Sequence, residues 1–434
     1  MADTAGGVSD QPARRPEEGR EAPATLGSRL RQVGPGLVVA ATGVGAGDMV
    51  TSLSAGTAYG TTLVWAIVIG ALLKYVLTEG IGRWYMATGE TILEGWHSLG
   101  RWASAYFVIY LFLVTLVFGA AVTSASALAT TAMFPDVMPL WIWAVLHGVF
   151  GFVVVAVGRY RLFERIMELF VALMFVTVVG LAALLAPDVG ELVSGTVIPA
   201  LPDGSLLYAI AVIGGVGGTF TLASYTYWVR ERGWRRPSWI PTMRADLGAG
   251  YFVTGLFMVA MLVVGAELLF ASGESIGEEA GLVALSDPIE QRFGAVASWL
   301  FLLGFWSATT SSILGAWNGG AYLFADFVRT LRRVPDERSG EYLSNKSWFF
   351  RGFLIWITFP PMLLLTFDEP VTLVIVYAAL GALFMPFLAV TLLWLLNSGR
   401  VADEYRNGTV PNVLLGISVL LFIVVGVQEV VGTL

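Results

Sequence analysis

Cysteine is absent from the 434 residues. That excludes disulfides, thiolate metal sites and thiol nucleophiles, and it leaves the redox compartment open. Histidine is nearly absent: His97 and His147 are the only two and lie far apart, so a histidine-built zinc site is not expected. Charged side chains make up 13% of the chain, against about 25% in an average soluble domain. No Walker loop or other nucleotide-binding motif occurs, so an ATP-driven engine is missing. A nucleophile–base pair of the kind an enzyme needs is missing too. No cofactor, nucleic acid or obligate protein partner is implied.

What is present is apolar surface. Hydrophobic residues reach 56%, and a lipid bilayer is the solvent that accepts them. A membrane-crossing helix needs about 20 apolar residues. Runs that meet this lie near 35–59, 61–82, 104–132, 138–158, 163–186, 205–229, 246–271, 294–326, 350–366, 370–397 and 410–432. The fold class expected is therefore an all-α polytopic membrane protein of about eleven helices. The 294–326 run is long enough to tilt or to extend beyond the bilayer. Residues 1–28 are rich in Pro, Gly, Arg and Glu. They have too little apolar surface to order themselves and no signal-peptide core, and read as a disordered cytoplasmic tail.

Charge sets the orientation. Alternate loops carry Arg101; Arg159 and Arg161; Arg230, Arg232, Arg235, Arg236 and Arg244; Arg329, Arg332, Arg333, Arg338 and Lys346; Arg400 and Arg406. The opposite loops carry Asp136, Asp188, Glu191, Asp203, Glu274, Glu278, Glu279, Asp287, Asp368 and Glu369, with Arg292 their one basic residue. Basic loops face the cytoplasm. The expected arrangement is a multi-pass protein of the plasma membrane, with its N-terminus cytoplasmic and its C-terminus external.

Two runs are glycine-broken. Gly43-Val44-Gly45-Ala46-Gly47-Asp48 interrupts the first, and Gly214-Gly215-Val216-Gly217-Gly218-Thr219-Phe220-Thr221 the sixth. Each interior glycine weakens a helix by about 1 kcal/mol. Paired interruptions in matching halves are the mark of inverted-repeat transporters with discontinuous helices. The expected organisation is a first repeat over 33–186, a second over 204–397, and an added helix at 408–432. A break frees backbone carbonyls that can ligate a cation. Close packing of helices on glycine explains either run equally well by itself.

The stretch Gly34-Pro35-Gly36 to Gly60 with Leu63-Val64-Trp65, then Arg83 with Ala87-Thr88-Gly89, and Pro386-Phe387, resembles the Nramp divalent-metal transporters over most of 33–430. The resemblance implies a LeuT-like fold, a 5+5 inverted repeat plus one helix, with substrate held between the breaks of helices 1 and 6. It also shows departures. The family's Asp-Pro-Gly-Asn falls on Gly45, Ala46, Gly47 and Asp48. Its Met-Pro-His falls on Gly218, Thr219 and Phe220, and a glutamine of the tenth helix falls near Ala378. The soft thioether and the histidine are replaced.

Oxygen donors are left: Asp48, the hydroxyls of Thr219, Thr221 and Ser224, and carbonyls near Val44, Gly45 and Gly215. Such donors suit hard divalent ions such as Mg²⁺ or Mn²⁺. The candidate substrate site is thus Gly45, Asp48, Gly215, Gly218, Thr219 and Thr221, with Asp48, Gly45 and Gly215 as metal ligands. Asp48 also suits the N-cap of the second half-helix, and the two roles are compatible. Thr310 and Ser311, within Thr309-Thr310-Ser311-Ser312, resemble the hydroxyls that complete a sodium site against helix 1 in this fold. Packing by small residues is the other reading.

Lys74 lies inside the second run, where a lysine is costly. It is expected to snorkel, or to pair with Asp48 or Glu267. Glu79 and Arg83 are four apart and expected to pair. Glu164 and Glu168 are expected to pair at the interface with Arg161 and Arg165, and His147 to be a satisfied buried histidine. Three functions fit: a secondary transporter of a divalent cation, a sodium- or proton-coupled transporter of a small organic solute, or a transport-inactive receptor.

Overall fold

A computed structural model describes residues 21–158, 160–270, 283, 285–367 and 370–432. Residues 1–20 of the tail, Arg159, and the acidic positions Glu274, Glu278, Glu279, Asp368 and Glu369 lie outside the described residues. The described residues form helices and connections, with no strand among them. Seven stretches are long and apolar enough to cross a membrane by length and composition. One of these, Gly47–Thr88, is two helices joined at Gly60. The φ of 60° there turns the chain, a conformation that glycine adopts without penalty. Among the described residues, Trp348–Met362, Pro370–Leu396 and Thr409–Gly432 add further helices, which gives a total close to the eleven expected.

We number them α1 (Pro35–Gly43 and Ala46–Tyr59), α2 (Val64–Thr88), α3 (Arg101–Met133), α4 (Leu140–Val157), α5 (Tyr160–Met174, continued by a π turn to Leu184), α6 (Leu206–Gly215 and Tyr225–Glu231), α7 (Ile240–Leu269), α8 (Ala295–Leu331), α9 (Trp348–Met362), α10 (Pro370–Leu396) and α11 (Thr409–Gly432). Caps, and not the end of apolarity, set several ends. Gly89, in the left-handed region at φ 77°, stops α2 six residues beyond the expected 82. The 37 residues of α8 span about 55 Å, well beyond the hydrocarbon core of about 30 Å. Leu26–Leu30, partly inside the stretch read as tail, forms a helical turn capped by Thr25 and lies against α7.

Both halves of α1 lie on α7 at distances only glycine permits. A Cβ at Gly36 would stand 2.2 Å from the Asp246 carbonyl oxygen, and one at Gly250 would stand 2.3 Å from that of Gly36. In the other half, Gly56 meets the Leu262 carbonyl at 2.0 Å and Gly265 that of Leu53 at 2.5 Å by the same measure. Small residues here let backbones approach where lipid offers no hydrophobic drive.

The end of the bundle where α1 begins is held by buried polar groups. Asp246, fully buried on α7, accepts from the Gly34 amide at 2.9 Å, the Gly36 amide at 2.7 Å and the Tyr225 hydroxyl at 2.8 Å. One carboxylate therefore ties the start of α1 to the second half of α6. Two residues on, Tyr227 donates to Asp326 on α8 at 2.7 Å. Asp326 also pairs with Arg329, which reaches Glu94 at 2.8 Å. Glu79 and Arg83 pair as expected at 3.1 Å, and Arg244 joins Glu79 at 2.8 Å. Glu164 departs from expectation. It pairs with Arg232 at 2.7 Å, not with Arg161 or Arg165, because the end of α6 brings that guanidinium against the start of α5. His147 is satisfied as expected. Trp306 Nε1 donates to its Nε2 at 2.8 Å, which leaves Nδ1–H to donate to the Trp143 carbonyl at 2.7 Å.

Candidate substrate site

Both glycine runs break their helices. The first half of α1 ends at Gly43. Val44 (φ −75°, ψ 101°) and Gly45 (φ −124°, ψ −175°) are extended, and the second half starts at Ala46. The first half of α6 ends at Gly215. Gly217 (φ 57°) and Gly218 (φ 75°) are left-handed, and the chain resumes as a 3-10 turn over Phe220–Ser224 before Tyr225–Glu231. Two successive left-handed residues cannot continue a right-handed helix. The two breaks touch: the Gly218 amide donates to the Gly43 carbonyl at 3.2 Å.

A cavity of about 150 Å³ opens where they meet. Every expected substrate-site residue, Gly45, Asp48, Gly215, Gly218, Thr219 and Thr221, is in its wall. Thr42, Lys74, Phe118, Phe220, Ser312, Tyr377 and Phe422 complete much of the rest. Ser224 does not join them. It is fully buried with an unpartnered hydroxyl, against Gly319 of α8.

Asp48 is not the N-cap. Gly45 holds that position, and Asp48 sits three residues into the helix, where its Oδ2 accepts from the Gly45 amide at 3.1 Å. This is half of a capping box, with no side chain at Gly45 to complete it. It leaves carboxylate capacity for the cavity, since a carboxylate has about four lone-pair sites. The carbonyls are less open than the sequence suggested. That of Val44 accepts from Ser312 Oγ at 2.9 Å, and that of Gly45 from the Met49 amide at 3.2 Å. Among the described residues no cluster of three or more His, Asp or Glu side chains could hold a metal. Among the described residues Asp48 is the one carboxylate in the wall.

Lys74 does not snorkel, and it faces Asp48 across the same cavity without a direct ion pair. It is 1% exposed, and among the described residues no ion pair within 4 Å joins it to Asp48 or Glu267. Its Nζ donates to the Gly218 carbonyl at 2.5 Å and stands 5.6 Å from the Phe422 ring centroid. α2 aims this side chain at the break of α6, so the span interior, and not the interface, receives the ammonium.

Four aromatic rings, Phe118, Phe220, Tyr377 and Phe422, stand in the wall among small and aliphatic residues. Phe220, at the position of the family's histidine, is fully buried edge-on to Phe118, and Phe118 packs against Tyr377. Tyr377 OH lies 3.4 Å from Thr219 Oγ1. These aromatics carried no signal in the sequence, being single rings within apolar runs. Of the hydroxyl run on α8, Ser311 Oγ donates to the Ala41 carbonyl at 2.7 Å and Ser312 to that of Val44. The Thr310 hydroxyl is buried and makes no hydrogen bond within the protein.

The family profile described as natural resistance-associated macrophage protein-like, Nramp, matches residues 36–432. Among curated relatives, the divalent metal cation transporter MntH of Mycobacterium tuberculosis is 26% identical over 305 residues, 66% of this chain and 68% of the relative. An uncharacterized protein of Pasteurella multocida is 24% identical over 267 residues, and the match spans 59% of that relative's length. Among solved structures, a manganese transporter of Eremococcus coleocola superposes with a TM-score of 0.73 at 15% identity, over 94% of this chain and 88% of the other. MhsT in complex with L-phenylalanine superposes at 0.54 and 15% identity, over 95% and 100%. At these identities the structural likeness speaks for the fold, which is LeuT-like.

Proposed function

We propose that this chain, which belongs to the natural resistance-associated macrophage protein-like family, is a secondary transporter that moves a divalent metal cation by alternating access. It is a multi-pass membrane transporter, not an enzyme. The reading rests most on one observation: two broken helices meet at a cavity with a single carboxylate, Asp48. Non-helical backbone at that depth is tolerated where it lines a cavity, and an intramembrane acid marks an ion path by default. The donors are oxygens, from Asp48, Thr219, Thr221 and the backbone at Gly45 and Gly215. That chemistry favours a hard ion, Mg²⁺ or Mn²⁺. The membrane is the cytoplasmic membrane, with the arginine-rich loops inside, the N-terminus cytoplasmic and the C-terminus external. A coupling cation fits the α1–α8 contact at Thr310 and Ser311, where Ser311 donates to the Ala41 carbonyl and Thr310 carries a buried hydroxyl with no protein partner.

A second reading has its own support. The wall carries four aromatic rings and, among the described residues, one ammonium and one carboxylate, which suits a small organic solute. Uptake by purified protein in liposomes separates the two, with Mg²⁺, Ca²⁺, Mn²⁺ and Na⁺ each supplied with and without proton and sodium gradients. Uptake of Mg²⁺ or Mn²⁺ above empty liposomes is expected. No divalent flux under any gradient would overturn the cation reading.

A further inference from the structure

The position of Lys74 has a consequence for what the cavity can hold. A lysine in a membrane interior normally reaches for the interface or for an acid. This one is 1% exposed, shares the cavity with Asp48 without a direct ion pair, and ends its ammonium on the Gly218 carbonyl at 2.5 Å. That carbonyl is available because of the break. In a continuous helix the Leu222 amide would bond it, but here that amide donates to the Thr219 carbonyl instead, at 3.1 Å. Carbonyls freed in this way are what a broken helix offers to a cation. The Phe422 ring, 5.6 Å from Nζ, adds a second favourable surface for a positive charge. Lys74 therefore already holds the kind of place a transported cation would seek.

We propose that Lys74 is a tethered cation that competes with the substrate cation, so that the ion binds as the ammonium leaves the Gly218 carbonyl and is expelled as it returns. The proposal rests on the cation reading above. With Asp48 and Lys74 both charged, the wall is neutral. An entering divalent ion meets one attractive and one repulsive unit charge, at a depth where water screens little. Lys74 thus weakens the site, and weak binding is what lets an ion leave. It also removes the need for a second carboxylate to discharge the ion. Selectivity follows from the same geometry, because an ion must repay the lost bond to Gly218 as well as its own dehydration. That penalty falls hardest on ions bound through few contacts.

A plain structural role is the rival: Lys74 would pin the broken strand of α6 and do nothing else. Charge and hydrogen bond separate the two. Lys74→Gln keeps an N–H donor for Gly218 without the charge, Lys74→Met removes both, and Lys74→Arg keeps the charge. The readout is Mn²⁺ and Mg²⁺ binding to purified protein by titration calorimetry, with monodispersity measured alongside. The expected result is a Kd lower by roughly tenfold or more in Lys74→Gln and Lys74→Met, with no such gain in Lys74→Arg, which keeps the charge. If Lys74→Met fails to fold, Lys74→Gln alone decides. Wild-type Kd in a folded Lys74→Gln would overturn the tethered-cation role and leave the cation reading standing. Absence of binding in wild type and in every folded variant would overturn both.

Discussion

Gly43 and Gly218 meet backbone to backbone, the amide of one on the carbonyl of the other at 3.2 Å, and neither has room for a side chain. A Cβ at Gly43 would lie 2.8 Å from the Gly217 carbonyl carbon, and one at Gly218 would lie 2.9 Å from Thr221 Oγ1. Gly218 is also left-handed, at φ 75°. This contact is where the two halves of the chain share one site. It explains why glycine clusters there.

Gly218→Ala is expected to cost about 1–2 kcal/mol from the left-handed conformation alone, with more from the crowded Thr221 hydroxyl. Gly43→Ala forces the two breaks apart and is expected to cost about 1–3 kcal/mol. Both should lower the melting temperature in detergent and reduce uptake. A Gly218→Met variant, attractive as a route to a softer ion, carries the same strain. Wild-type melting for Gly218→Ala would show that the left-handed geometry is not needed.

Asp246 satisfies three donors at the start of α1 and the second half of α6. Asp246→Ala leaves two amides and a hydroxyl buried without partners. A cost of about 1–3 kcal/mol for each unsatisfied group is usual, so the variant should be among the least stable of the chain. Tyr225→Phe removes one bond and is expected to cost about 1 kcal/mol. Thermal melts of the two variants check the ordering, and equal stability would contradict it.

The hydroxyls of α8 are not equivalent. Ser312→Ala strips a donor from the Val44 carbonyl at the end of the first half of α1. Any sodium dependence of uptake should shift to higher sodium or disappear. Thr310→Val removes a buried hydroxyl that has no partner, so it should be neutral or stabilising within about 1 kcal/mol. Sodium titration of uptake reads the first and melting the second. A large loss in Thr310→Val would mean that its hydroxyl has work this geometry does not show.

Much of this was legible before any coordinates. Helix number, the two breaks and the cavity-lining role of Asp48 follow from apolar run length and glycine placement, which are local properties of the chain. What was not legible depends on who faces whom. Glu164 has arginines near it in sequence, yet Arg232, far along the chain, is its partner. Ser311 and Ser312 bond the carbonyls of Ala41 and Val44, and only the rotation of α8 against α1 decides that. Asp246 and Asp326 stand at the ends of their apolar runs, and nothing in the sequence reveals that Tyr225 and Tyr227 donate to them. Lys74 was visible as costly but not as aimed, because its acceptor is a carbonyl that exists only once α6 has broken.

Asp48→Asn separates the two roles of the acid. The Asp48 Oδ2 accepts from the Gly45 amide at 3.1 Å, and asparagine keeps an oxygen for that bond, so the half-helix start should survive with a loss of at most about 1 kcal/mol. What asparagine removes is the only negative charge in the cavity wall. With Lys74 still in place, the wall then carries a net positive charge, and a divalent cation should no longer enter. The expected outcome is a monodisperse protein with near-wild-type melting and no Mg²⁺ or Mn²⁺ uptake. The double variant Asp48→Asn with Lys74→Gln is more telling, because it restores neutrality. Partial recovery of uptake would mean that net charge governs entry. Continued silence would mean that the carboxylate ligates the ion directly and that no adjustment of charge replaces it. Full uptake by the single variant would reduce Asp48 to a helix cap and pass the lead to the organic-solute reading.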